Sequence, residues 1–235
     1  MKIYISILII IGSLISCSNN NENDKIITKT DSLNNNNKND RLKIQPIDES
    51  SKDSSLVNFI SKLKNIINKQ DTSSLFSILD SNIVSSYGGG LYGKVDFVDN
   101  WNLKSNSKEL WYVLNKAVSL GGVFEDNDTT FRMPYCQSDR FFQDTNIDWY
   151  ELAVSVKPQV KVYEKNNKSS KIVGVLDYDI LHVLDIGNNF IKISTTDSII
   201  KGYVERNDIY FSAEYILILQ KNNEMWKIKS FAPYD

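Results

Sequence analysis

Val160-Lys161-Val162-Tyr163-Glu164-Lys165-Asn166-Asn167-Lys168-Ser169-Ser170-Lys171-Ile172-Val173-Gly174-Val175-Leu176 reads as two short strands around a polar loop. Its ends are rich in β-branched residues, and the middle is Asn, Ser and Lys, a turn composition. The same signature recurs at 129–133, 152–156, 180–184, 190–193 and 201–204. Short strands at this spacing imply a small barrel.

The stretch resembles the bacterial SH3-type domains. Their usual opening is an apolar residue, Asn-Val-Arg-Ser-Gly-Pro, a Ser-rich loop and then Val-Ile-Gly-Thr-Leu. Val160 to Leu176 follows that frame without a gap, Phe190-Ile191-Lys192-Ile193 matches the later Trp-x-Lys-Val, and Gly202-Tyr203-Val204 matches Gly-Tyr/Trp-Val. The resemblance spans residues 153–210, about a quarter of the chain, and implies an SH3-like barrel over 151–211. Tyr163 replaces the family's arginine, Asn166 its loop proline, Asp179 its turn glycine and Phe190 its tryptophan, so a wall-peptide groove does not carry over residue by residue. Candidate groove residues are Tyr163, Tyr178, Phe190, Tyr203 and Tyr210, because flat rings with polar tips suit shallow recognition of peptides or glycans. The plainer alternative for each ring is that it covers the small core.

Upstream, the period changes. Leu56, Phe59, Ile60, Leu63, Ile66 and Ile67 recur every three or four residues, predicting an amphipathic helix capped by Ser54 or Ser55. Leu75, Phe76 and Leu79 extend the rhythm over 72–83, a third helical segment carries Val95, Phe97, Val98 and Trp101, and a fourth runs from Ser107 to Gly121-Gly122. Between them, Gly88-Gly89-Gly90-Leu91-Tyr92-Gly93-Lys94-Val95 meets only part of a phosphate-loop pattern. Val95 stands where Ser or Thr must hold magnesium, so the segment reads as a turn. After the barrel, 215–220 and 225–229 flank Lys221-Asn222-Asn223-Glu224 as a hairpin that packs back on the helical region or on 124–135. The expected fold class is therefore α+β. A helical region with short strands over 53–150 precedes the SH3-like barrel at 151–211 and a C-terminal hairpin at 212–235.

At the other end, Lys2 precedes an apolar run from Ile3 to Ile15 that is too short to span a bilayer, which is a secretion signal over 1–16. Leu14-Ile15-Ser16-Cys17 resembles the bacterial lipobox, which implies cleavage before Cys17 and acylation of its sulfur and new amino group, a durable multi-chain anchor. A signal peptide with an incidental cysteine, or an uncleaved anchor, is the alternative. From 17 to 52 the chain is rich in Asn, Asp, Lys and Ser and reads as a tether with a reach of roughly 30–35 Å.

The 235 residues carry 27 Lys and Arg against 29 Asp and Glu, a net charge of -2, which provides no basic field for nucleic acid. Two cysteines and one histidine are too few for a cysteine-rich metal cage, and no cofactor or metal is expected. His182 lies in a strand, Cys136 reads as a buried apolar residue, and no nucleophile sits beside a base, so no catalytic residues are assigned. The expectation is a non-catalytic membrane-anchored envelope lipoprotein, periplasmic or at the cell surface. It would bind wall peptide, polysaccharide or an envelope protein. Two alternatives stay open: a hydrolase using Asp126, Asp128, Asp139, Asp144, Asp148 and Glu151 after Phe124, and an inhibitor or immunity-like protein with one tight partner.

Overall fold

The computed structural model describes residues 41–88, 90–105, 107–125, 128–138 and 145–233. The segment expected to be a signal, with Leu14, Ile15, Ser16 and Cys17, lies outside the described residues, as do Gly89, Asp126, Asp139 and Asp144. Among the described residues the chain runs α1 (Ser54–Lys69), α2 (Thr72–Ile78), β1 (Leu79–Val84), α3 (Gly93–Asn100), α4 (Lys108–Ser119), β2 (Val123–Phe124) and β3 (Thr130–Met133). It continues through β4 (Leu152–Ser155), β5 (Val160–Tyr163), β6 (Ile172–Leu176), β7 (Ile180–Ile186), β8 (Phe190–Thr195), β9 (Lys201–Glu205), β10 (Ile209–Phe211), β11 (Tyr215–Asn222) and β12 (Met225–Pro233). The strands form two sheets, one of five in the order β1-β12-β11-β3-β2 and one of seven in the order β10-β4-β7-β8-β9-β5-β6.

This overturns the α+β expectation of an N-terminal helical region followed by a barrel and a hairpin. The described chain is mostly β, with four short helices and no helical unit that stands apart. The helices cover a sheet whose centre is the β11–β12 hairpin. β11 pairs antiparallel with β3, and β12 pairs parallel with β1. Residues 79–83, expected to be helical, are strand. Leu79 aligns with Ile228 and Val84 with Ser230, partners that local periodicity cannot reveal.

α1 shows why the helices form. Asp53 rather than Ser54 or Ser55 caps it, its carboxylate accepting from Ser55 N at 2.7 Å and Leu56 N at 3.2 Å. Ser55 Oγ and Lys221 Nζ add to the same carboxylate, so hydrogen bonding, chiefly from Ser55, holds it well below the usual range, at about 2. Gln70 ends the helix in the left-handed region. The buried stripe of Leu56, Ile60, Leu63, Ile66 and Ile67 then faces β11 and β12 across a core with Phe97, Trp101, Trp111, Phe131, Trp226 and Phe231. Each such aliphatic side chain contributes about 1.5–3 kcal/mol of burial.

The seven-stranded sheet is antiparallel throughout. Both of its edge strands, β6 through Leu176 and β10 through Ile209 and Phe211, reach one aliphatic core with Val162, Leu181, Ile191, Ile193 and Val204, so the sheet curls over itself. A third core, with Ile44, Val123, Tyr135, Leu152, Val154, Ile180 and Tyr210, joins the two sheets.

Residues 41–52, expected to lie in the tether, belong to the folded body. Lys43 bridges Asp179, Ile44 N donates to Tyr178 O at 2.9 Å, and Ile180 N donates to Leu42 O at 2.8 Å. Ile44 is fully buried. Five residues on, Glu49 N donates to Gly122 O and its carboxylate accepts from Phe124 N, so this strap stitches one sheet to the other. The low-complexity composition of 17–40 hides the change at Arg41, because Leu42, Ile44 and Ile47 among polar neighbours are too few to establish a period.

Candidate functional site

On the outer side of the curled sheet, register brings three of the five candidate rings together. Tyr163 of β5 aligns with Tyr203 of β9, Lys192 of β8 aligns with the same Tyr203, and Phe190 aligns with Glu205. Side chains alternate along a strand, so the apolar partners Val162, Ile191, Ile193 and Val204 point to the core while these point away. Tyr163 and Phe190 meet edge to face at 6.0 Å between centroids and 86° between planes. Tyr163 is largely covered by this contact, whereas Phe190 and Tyr203 are half-exposed.

The charges around the rings are mixed. Lys192 Nζ lies 6.0 Å from the Tyr203 centroid, at the outer reach of a cation–π contact, and Asp185 is its cross-strand neighbour. Glu205 binds Lys168 Nζ at 2.7 Å, and Lys201 opposes Ser194. Gly202 lets β9 approach β5, because a Cβ there would stand 2.5 Å from Tyr163 O. The face therefore offers flat rings flanked by both donors and acceptors. Lys192 and Asp185, which complete it, were not singled out in the sequence. Their signal was the alternation of 190, 192 and 194 against 191 and 193.

The other two candidates are elsewhere. Tyr210 is a correction: it is 1% exposed in the core between the sheets, donates to Tyr215 O at 2.5 Å and stacks under Lys116 Nζ at 4.7 Å. Its alternation on β10, where all three residues are buried, differs from that of a one-sided strand. Tyr178 sits at a left-handed turn, φ 60°, beside the strap, and its carbonyl is held by Ile44.

Of the groups weighed for catalysis, Cys136, His182, Glu151, Asp148 and Asp128 are among the described residues. The Cys136 thiol is pushed far up by burial, so its thiolate is unavailable at neutral pH. His182 Nε2 lies 3.0 Å from Glu151 Oε2 on the outer face of β7. Asp148 caps the turn at Tyr150 N. Asp128 borders a polar cleft of about 530 Å³ with Lys52, Asp53 and Lys221, in which Asp53 and Lys221 already pair. No group of three or more metal-ligating side chains occurs among the described residues, and none of their helices is long and apolar enough to cross a membrane.

No family model, curated protein or solved structure matches this chain.

Proposed function

We propose that the chain is a non-catalytic cell-envelope lipoprotein, anchored through Cys17, that uses the outer face of the seven-stranded sheet to engage wall peptide or polysaccharide. The observation that carries the reading is the pair of half-exposed rings Phe190 and Tyr203, with Phe190 packed edge to face on the buried Tyr163 and Lys192, Asp185 and Glu205 around them. The lipobox-like Leu14-Ile15-Ser16-Cys17 and the likeness of 153–210 to SH3-type domains support it. Half-exposed rings give contact area at little cost in side-chain entropy, and alternating charges give acceptors and donors for hydroxyl or amide groups.

The test is sedimentation of the whole protein with purified peptidoglycan. Excision of 153–210 is a poor control, because it would remove Val154, Ile180 and Tyr210 and open the core that holds Ile44. Surface substitution is the sharper one. Wild type is expected to sediment, and Tyr203→Ala with Phe190→Ala is expected to reduce the bound fraction at least several-fold. Equal sedimentation of wild type and double variant overturns the assignment of this face, and no sedimentation of wild type moves the partner to an envelope protein.

A further inference from the structure

The cleft around Asp53 spends its charges internally, since that carboxylate and Lys221 pair. A groove of about 320 Å³ between the C-terminal end of α1 and α4 is built differently. Ile67 and Trp111 form its floor, 5% and 4% exposed, and the Trp111 indole N–H is taken by Ser107 Oγ at 2.9 Å. Both are too deeply buried to offer an apolar anchor to a ligand.

The groove is edged by amides and one ring. Asn68 and Gln70 at the end of α1 and Asn115 on α4 are all exposed, and their side chains make no hydrogen bond within the described residues. Each amide offers an acceptor and two donors. Gln70 is placed by its backbone, in the left-handed region at φ 52° with its N–H donating to Ile67 O at 3.0 Å. Tyr112 stands three residues before Asn115 and therefore on the same face of α4. Its ring is 54% exposed yet tied down, because the hydroxyl donates to Asn207 Oδ1 at 2.6 Å in the turn Arg206–Asp208 of the curled sheet. A ring held at its tip is a rigid platform, with little freedom left to lose when something stacks on it. Among the described residues no carboxylate lines the groove, and Lys108 is its one charged lining residue.

We infer that this groove is a sugar-binding site that takes the neutral hexose rings of a glycan. A pyranose presents a face of C–H groups, which suits the Tyr112 platform, and a rim of hydroxyls that both donate and accept, which suits the amides of Asn68, Gln70 and Asn115. A peptide strand would call for a free sheet edge or an apolar pocket, and the groove supplies neither. The site lies on the helices, apart from Phe190 and Tyr203, and does not rest on the assignment of that face.

The test titrates the whole protein in detergent with a tetramer of N-acetylglucosamine and, separately, a tetramer of glucose, following the side-chain amide NMR signals of Asn68, Gln70 and Asn115. Saturable shifts of these signals with at least one tetramer are expected, and the tetramer that acts shows whether the N-acetyl group belongs to the recognised unit. Tyr112→Ala should weaken that affinity several-fold, as should Asn115→Ala. Both positions are exposed, so the rest of the spectrum should stay in place. Tyr112→Phe, which keeps the ring and frees its tip, should fall between wild type and Tyr112→Ala, while Tyr203→Ala with Phe190→Ala should bind the tetramer like wild type. No saturable shift with either tetramer overturns the inference, whatever the protein does with peptidoglycan. Equal affinity in wild type and Tyr112→Ala overturns it too. Loss of tetramer binding in the Phe190 and Tyr203 double variant alone assigns the sugar to the sheet face instead. Shifts produced by a wall stem peptide and by neither tetramer assign the groove to a peptide.

Discussion

The two sheets of this protein solve the burial of an apolar face in different ways. The five-stranded sheet covers its face with helices and fills the gap with large rings: Trp101 stacks on Phe231 at 5.5 Å and 21°, and Phe124 meets Phe131 edge-on at 5.0 Å. The seven-stranded sheet covers its face with itself, and its core is aliphatic apart from Phe211. A sheet that needs no helices leaves in water whatever part of its other side the junction of Leu152, Val154, Ile180 and Tyr210 does not cover. That difference places the large rings in one half and the proposed recognition surface on the other.

The largest effect expected from breaking this division is in the ring-filled core. Phe231→Ala removes the ring that contacts both Trp101 and Tyr215 and should cost about 3–5 kcal/mol, read as a lowered urea midpoint. A loss under 1 kcal/mol would mean that this core re-forms around the void. Next comes the junction. Ile44→Ala should cost about 2–5 kcal/mol and uncouple the sheets, so that near-ultraviolet and far-ultraviolet transitions, coincident in the wild type, separate. Coincident transitions in the variant would show that Tyr135 and Tyr210 hold the halves together without the strap.

A smaller effect belongs to the cap of α1. Asp53→Ala should lose about 1 kcal/mol at neutral pH. The folded carboxyl of Asp53 sits at about 2, below its ordinary 3.8. Its contribution is therefore complete above the ordinary value and is lost as pH falls through about 2. The difference in stability between wild type and Asp53→Ala should shrink over that window, and a constant difference down to pH 2 would assign the loss to something other than the charged cap. The smallest effect is expected on the outer face, where Tyr203→Ala should move stability by no more than about 0.5 kcal/mol while weakening the proposed wall binding. A large loss of stability there would make Tyr203 a packing residue and weaken the contrast between the halves.

The strands of the curled sheet were legible because alternation is local: Val160, Val162, Ile191 and Ile193 announce a half-buried pleat by themselves. So were α1 and α4, whose buried residues follow the helical period. What escaped was everything decided by distant partners. β1 is a strand because β12 lies beside it, and Ile44 is core because Tyr178 and Ile180 offer it backbone partners. The mostly β architecture follows from such pairings, so periodicity read the helices and missed the sheet they serve. The candidate face was half legible. Tyr163, Phe190 and Tyr203 share a parity that the register confirms on one side, whereas Tyr210 belongs to a short strand buried on both sides and gives no alternation to read.

The strap has a mechanical meaning. Tension arriving from residues before Arg41 does not reach α1 first. It is met by the Arg41–Asp179 ion pair at 3.4 Å, by Leu42 N on Thr196 Oγ1, by the two backbone hydrogen bonds to Tyr178 and Ile180, and then by the buried plug of Ile44. These elements are loaded in series with everything C-terminal to them and are few, so they act as a fuse. A hard pull would peel 41–44 from the curled sheet and free those residues. It would leave the helices and the ring-filled core unloaded until Glu49 took up the force at Gly122.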